Sequence, residues 1–256
     1  MIKGFFFDQD GVIIDTERDG HRVAFNRTFR ELGFPVQWDV ETYHELLQIA
    51  GGKERMRHYL HTRGFGTEVK SEEEDDLIVR MHARKTEIFI ELIESGSLPL
   101  RPGIRRIMKE INAMDLVLGI CTTSNEKAAR TVAHRILSDV TFDFVLAGDV
   151  VSRKKPDPEI YLLALERSGL KPHECICIED SHNGVAAAKA AGLHVVATTN
   201  AYTEKEDLSG ADIVVTCLGD PEGERCDLRA GGRDLDFTGV LTALQLVSWF
   251  ASANEA

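Results

Sequence analysis

Short unbroken apolar runs recur along the chain, each giving way to a polar turn and then to helical periodicity. They lie at Lys3–Phe7, Leu116–Cys121, Phe144–Ala147, Cys175–Ile178, His194–Thr198 and Asp212–Val215. An apolar run without alternation predicts a parallel strand buried on both faces. Strand and helix in turn predict an α/β fold, a parallel sheet wrapped by helices. The punctuation agrees: Asp157-Pro158 predicts a helix cap with a first-turn proline, and Gly169 predicts that helix's end. Cys175 and Cys177 alternate with isoleucines, as small buried strand residues would.

One gap breaks the rhythm. Between Asp15 and about Gly96 only helical patterning is found, its longest piece being "SEEEDDLIVRMHARKTEIFIELIE". Ser71 and Glu74 in it predict a capping box. Residues 16–96 are therefore expected to form a small helical domain inserted after the first strand, leaving 1–15 and 97–256 as the sheet domain. The stretch "ESGSLPLRPG" would carry the chain back to the sheet. After Val215 the pattern weakens, and "GDPEGERCDLRAGGRD" predicts a surface loop before a last helix around Val240–Ser252.

Composition narrows the functional classes. The 256 residues are 43% apolar and 28% charged, ordinary for a globular protein. A net charge of −12 leaves no broad basic surface, so no nucleic-acid partner is expected. The opening apolar run is broken by Asp8 too soon for a signal peptide, and no stretch approaches a membrane span. The five cysteines form no CxxC pair. A cytoplasmic monomer without a membrane partner is the expectation.

Open parallel sheets bind ligands beyond the carboxyl ends of their strands. Asp8 and Asp10 follow the first strand; Thr122, Thr123 and Ser124 follow the second; Lys154 and Lys155 follow the third; Glu179, Asp180 and Ser181 follow the fourth. Each group alone has an ordinary explanation: a turn, a helix cap or a solvated lysine. Together they describe a site for a hard cation and a phosphate. Asp8, Glu179 and Asp180 would crowd negative charge that needs compensation. Mg2+ takes oxygen ligands, a lysine neutralises the remainder, and hydroxyls with backbone N–H groups hold phosphate oxygens. Other motifs fail: Val12 stands where an EF-hand needs a ligand, "AGGKER" lacks the first glycine and final hydroxyl of a phosphate loop, and neither GxGxxG nor HExxH occurs.

The segments "DQDGVIIDTE", "CTTSN", "KKPDP" and "IEDSHNG" together resemble the four motifs of the haloacid dehalogenase-like hydrolase superfamily. The resemblance implies a Rossmann-like core with an α-helical cap, of the CbbY and β-phosphoglucomutase-like subgroup. "HRVAFNRTF" and "GGKERM" look closer to the CbbY-type sugar-bisphosphate phosphatases. It implies that Asp8 is the nucleophile that becomes an aspartyl-phosphate and that Asp10 is the acid and base. Thr122, Thr123, Ser124 and Lys155 would bind the phosphate. Asp8, Asp10 (through its carbonyl), Glu179 and Asp180 would hold Mg2+. Gln9 stands between the aspartates, where that family often has an apolar residue.

The cap is expected to choose the substrate through Glu17, His21, Gly52, Lys53, Arg55 and Lys85. Lys53 and Arg55 place two cations within three positions, suited to a second phosphate. The expected activity is Mg2+-dependent hydrolysis of a small sugar phosphate, a bisphosphate such as xylulose 1,5-bisphosphate. The alternatives are a β-phosphoglucomutase-like sugar phosphomutase and a receiver-type phospho-acceptor. A receiver lacks both the large cap and the second strand-end carboxylate pair.

Overall fold

The computed structural model describes residues 1–47, 49, 51–96, 98–124, 126–233, 235 and 237–253. Asn125 of the second motif, Ser97 of the return linker, and Asp234 and Asp236 of the late loop lie outside the described residues. The chain forms two compact units, Met1–Asp15 with Pro99–Ala256, and Thr16–Leu98.

The first unit is built on a sheet whose described strands are β1 (Gly4–Phe7), β2 (Val117–Cys121), β3 (Phe144–Leu146), β4 (Cys175–Glu179), β5 (His194–Thr198), β6 (Ile213–Val215) and β7 (Leu228–Gly231). Their order is β3-β2-β1-β4-β5-β6-β7. Strands β1 to β6 are parallel, and β7 pairs antiparallel with β6. Being central, β1 buries Phe5, Phe6 and Phe7 completely, which explains an apolar run with no polar face. On one side the core gathers Phe6, Phe144, Ile160, Tyr161, Cys175, Cys177 and Val195.

Six strands begin or end within a residue of the expected runs. The seventh departs from expectation, because β7 lies inside the segment expected to be loop. All four of its residues are exposed, so it carries no apolar pattern and is defined only by its pairing with β6. The last helix of the unit runs Ala243–Ala253.

The described elements of the second unit are helical, among them α1 (Arg22–Glu31), α2 (Val40–Leu47), α3 (Gly52–Arg63) and α4 (Ser71–Glu94). Its interior is aromatic: Phe25, Phe29, Trp38, Tyr43 and Phe65 are fully buried. Asn26 fixes Trp38 by exchanging hydrogen bonds with its backbone N–H and carbonyl, at 2.7 and 2.8 Å. The capping box expected at α4 does not form. Lys70 is the N-cap without a side-chain bond, and Glu74 instead accepts from His61 and pairs with Arg57. In the first unit, the helix Glu159–Ser168 starts one residue later than expected. Asp157 still caps it by accepting the Glu159 N–H at 3.0 Å, and left-handed Gly169 ends it.

Candidate active site

Strands β1 and β4 are neighbours in register, Phe7 opposite Ile178, so the residues that follow leave the sheet side by side. The Asp8 N–H donates to the Ile178 carbonyl at 3.0 Å and extends that pairing by one step. Carboxylate oxygens of Asp8, Glu179 and Asp180 consequently all lie within 4.8 Å of one another, and all three residues are buried. Such a cluster is unfavourable unless cations compensate it.

Lys155 supplies one cation. Its Nζ donates to Asp8 at 2.5 Å, to Glu179 at 2.6 Å and to the Cys121 carbonyl at 3.1 Å. Burial opposes the ammonium, but Asp8 and Glu179 outweigh burial and hold its pKa above the ordinary lysine range. One positive charge does not satisfy three carboxylates. Burial pushes Asp8 up to about 8, with Glu179 and Asp10 adding to the rise and Lys155 opposing it. Asp180 is likewise held well above the carboxylate range, first by burial and then by Asp8 and Glu179. Converging hard oxygens with surplus negative charge are the donor set that Mg2+ takes. The residues present therefore fit that ion.

The turn after β1 is set by Gln9, whose carbonyl accepts from Val12, Ile13 and Ile14 at 3.3, 2.9 and 3.2 Å. Gly11 closes it with φ +83°. Asp10 emerges from this turn toward the end of β2. Its carboxylate accepts from the Thr122 hydroxyl at 3.3 Å and from the Ser124 hydroxyl. Thr122 in turn accepts the Ser124 N–H at 3.0 Å, and Thr123 lies half-buried between them. Asp10 thus faces hydroxyls, apart from the three converging carboxylates.

Three residues not expected from the sequence complete the arrangement. Asn200 donates to Asp180 at 2.7 Å. It lies just past β5, so reading a fifth strand end as the first four were read would have found it. The Tyr161 hydroxyl donates to Glu179. Arg101 donates to the carbonyls of Gly11, Thr199 and Thr216 and to the Thr198 hydroxyl, tying the Gly11 turn to the ends of β5 and β6. Its partners are remote in sequence, and no local pattern marks them.

In the helical unit the expected contacts fall into two linked groups. Arg55 donates to the Ile49 carbonyl at 2.9 Å and to the Tyr43 hydroxyl at 3.3 Å, and that hydroxyl donates to Glu17 at 2.6 Å. Lys85 is 7% exposed, donates to His21 Nδ1 at 2.8 Å, and lies over the rings of Phe25 and Phe89 at 4.8 and 5.3 Å. Burial lowers Lys85 to about 8, Arg55 lowers it further, and Glu17 partly opposes them. Burial, then Lys85, Arg55 and His82, hold His21 well below its ordinary range. Lys53 is half-buried, and its charge bears on His82. The two glycines before Lys53 also meet conformational and packing needs within the unit. Gly51 has φ +92°, and a Cβ on Gly52 would press on His82 at 3.0 Å and Phe25 at 3.3 Å.

Comparison with known proteins agrees with this chemistry. A family described as haloacid dehalogenase-like hydrolase matches residues 2–192. The chain is 44% identical over 250 residues to a CBBY-like protein of Arabidopsis thaliana, covering 96% of this chain and 76% of that one. It is 39% identical to the CbbY protein of Rhodobacter capsulatus, over 82% and 91% of the two chains. A solved structure of a CbbY mutant from Rhodobacter sphaeroides in complex with xylulose 1,5-bisphosphate is 37% identical, with a TM-score of 0.65 over 84% of this chain and 93% of that one.

Proposed function

The chain belongs to the haloacid dehalogenase-like hydrolase family and is a CbbY-like phosphatase, and from that premise we propose that it hydrolyses a sugar bisphosphate of the xylulose 1,5-bisphosphate type through a phosphoryl group carried on Asp8. The observation that supports this most is the convergence of Asp8, Glu179 and Asp180 around a single lysine. Asp8, Glu179 and Asp180, with the main-chain carbonyl of Asp10, would hold Mg2+. Bound there, Mg2+ would supply positive charge against the transferring phosphate and favour the ionised form of Asp8.

The chain's own groups do the remaining work. An Asp8 carboxylate oxygen attacks phosphorus and the bond to the sugar oxygen breaks, splitting one difficult displacement into two easier ones. Asp10, poised by the Thr122 and Ser124 hydroxyls, gives its carboxyl proton to the departing sugar oxygen. The resulting Asp10 carboxylate then takes a proton from the water that attacks phosphorus and frees Asp8. Lys155 and the turn Thr122–Ser124 steady the phosphate oxygens, since phosphoryl transfer is governed by positioning and charge neutralisation. Tyr161 and Asn200 hold Glu179 and Asp180 for the metal.

The cations around Lys85, with His21, Lys53 and Arg55 near and Glu17 as a hydroxyl acceptor, suit a phosphorylated polyol. The test is phosphate release by purified protein with Mg2+ on sugar mono- and bisphosphates, with products identified in the same sample. One phosphate freed per xylulose 1,5-bisphosphate consumed is expected. Isomerised sugar phosphate without matching free phosphate would make the protein a mutase.

A further inference from the structure

Five cysteines are buried and reduced, and three of them (Cys121, Cys175 and Cys177) lie in strands of the parallel sheet. The other two, Cys217 and Cys226, lie in the connection between β6 and β7. The pairing runs Val215 opposite Leu228, and it continues as the Thr216 N–H donates to the Asp227 carbonyl at 3.0 Å. One step further, Cys217 stands opposite Cys226. The Cys226 N–H points away from its neighbour, to the Gly239 carbonyl at 2.8 Å, as in a non-hydrogen-bonded antiparallel pair. Such pairs bring Cα atoms to about 4.5 Å, inside the range of about 4.4–6.8 Å that disulfides span.

We propose that Cys217 and Cys226 are a redox-modification site, a dithiol that hydrogen peroxide converts to an intramolecular disulfide. The hairpin geometry is already fixed in the reduced protein. Leu218 N–H donates to the Pro102 carbonyl at 3.2 Å, Gly103 N–H to Asp220 at 2.8 Å, and Arg106 to the Leu218 and Gly219 carbonyls at 3.0 and 2.8 Å. The thiols lie beneath an exposed tip, Pro221–Arg225, which peroxide, little larger than water, need only slip past.

The two sulfurs are chemically unequal. The Cys217 thiol donates to the Arg225 carbonyl at 3.8 Å, and the neighbouring Cys226 thiol lowers Cys217 to about 7, so Cys217 is the nucleophile. Cys226 is raised, first by Cys217 and then by burial, and is the resolving thiol. By contrast burial raises Cys121 and Cys177 and pushes Cys175 up to about 12. The Cys217 thiolate attacks one peroxide oxygen, the O–O bond breaks, and the departing hydroxide takes a proton from solvent as water. The Cys226 sulfur then attacks the sulfenic sulfur, the S–O bond breaks, and a second water leaves with the Cys226 proton. Two thiols and one peroxide become one disulfide and two waters.

Trypsin makes the test direct, because it cuts after Lys205, Arg225 and Arg229 and so separates the two cysteines. The reduced protein is treated with peroxide, alkylated and digested without reductant. Peptides 206–225 and 226–229 should appear joined, lighter by two hydrogen atoms than their sum, and should separate on reduction. The oxidised protein should also melt at a higher temperature. Cys226→Ser should stop at a sulfenic acid on Cys217 that a dione reagent traps. Full alkylation of both peptides after peroxide, or joining of Cys121, Cys175 or Cys177 instead, would overturn the proposal.

Discussion

Asp180 Oδ2 occupies the space that any side chain at position 11 would need: a Cβ built on Gly11 would lie 1.9 Å from it. The turn after β1 and the Asp180 carboxylate are therefore interlocked through the absence of an atom. Gly11→Ala also forces φ +83° on a residue with a Cβ, which costs about 1–2 kcal/mol. We expect Gly11→Ala to fold and to lose about 10–100-fold in Mg2+ affinity, as misplacing a ligand's support does. Titrating turnover with Mg2+ reads this out. An unchanged Mg2+ midpoint would mean that Asp180 is not a ligand.

Asp10→Asn should leave ligand binding intact and slow turnover by about 10²–10⁴, the usual worth of a positioned acid–base group. An amide at that site still accepts from Thr122 and Ser124, so the geometry survives while the proton does not. An aryl phosphate with a good leaving group needs less help in the first step and should show a smaller defect in phosphorylating Asp8. Equal defects in that step for aryl and sugar phosphates would remove Asp10 from the acid role.

At Lys85, stability opposes the recognition role proposed for it. An unfolded lysine titrates near 10.5, whereas burial brings this one to about 8. Below pH 8 the folded protein carries the buried charge at full cost. Between 8 and 10.5 the unfolded chain binds the extra proton, so stability from this group rises with pH through that window. The cost at pH 7 is on the order of 3 kcal/mol. Lys85→Met should therefore raise the melting temperature at pH 7, the gain shrinking by pH 10, while weakening sugar-bisphosphate binding. A melting temperature lowered at pH 7 would show that the ammonium stabilises the unit.

The strand ends were legible because each motif sits where an apolar run stops, and buried acids there need a partner. Asp8, Glu179 and Lys155 meet for that reason. Residues that act through distant partners left no such mark. Arg101 reaches carbonyls at positions 11, 199 and 216, and only the folded sheet brings these together. β7 was illegible because its four residues are all exposed, which removes the alternation that marks a half-buried strand. At α4 a serine and a glutamate three apart matched a capping box, yet Glu74 is drawn to Arg57 and His61 of α3. Ion pairing between helices took precedence over a local cap.

Lys53 and Arg55 look alike in sequence, two cations in one turn, but the structure separates their roles. Arg55 is committed to the Ile49 carbonyl and, through the Tyr43 hydroxyl, to Glu17. Removing it takes a charged donor from the Ile49 carbonyl and the Tyr43 hydroxyl, so Arg55→Ala should lower the melting temperature as well as activity on every substrate. Lys53, half-buried at the start of α3, has no hydrogen bond or ion pair among the described residues, and its loss should be felt chiefly by a ligand. A charged hydrogen bond to phosphate contributes about 1.5–3 kcal/mol, equally in ground and transition states when that phosphate does not react. Lys53→Ala should then raise KM for bisphosphates by about 10–100-fold with kcat little changed. Monophosphates should be almost unaffected, and so should the melting temperature. Steady-state kinetics on a bisphosphate and its matching monophosphate, run beside thermal melts of both variants, gives all four comparisons. Equal KM increases on the two substrates for Lys53→Ala would show that Lys53 does not hold the second phosphate.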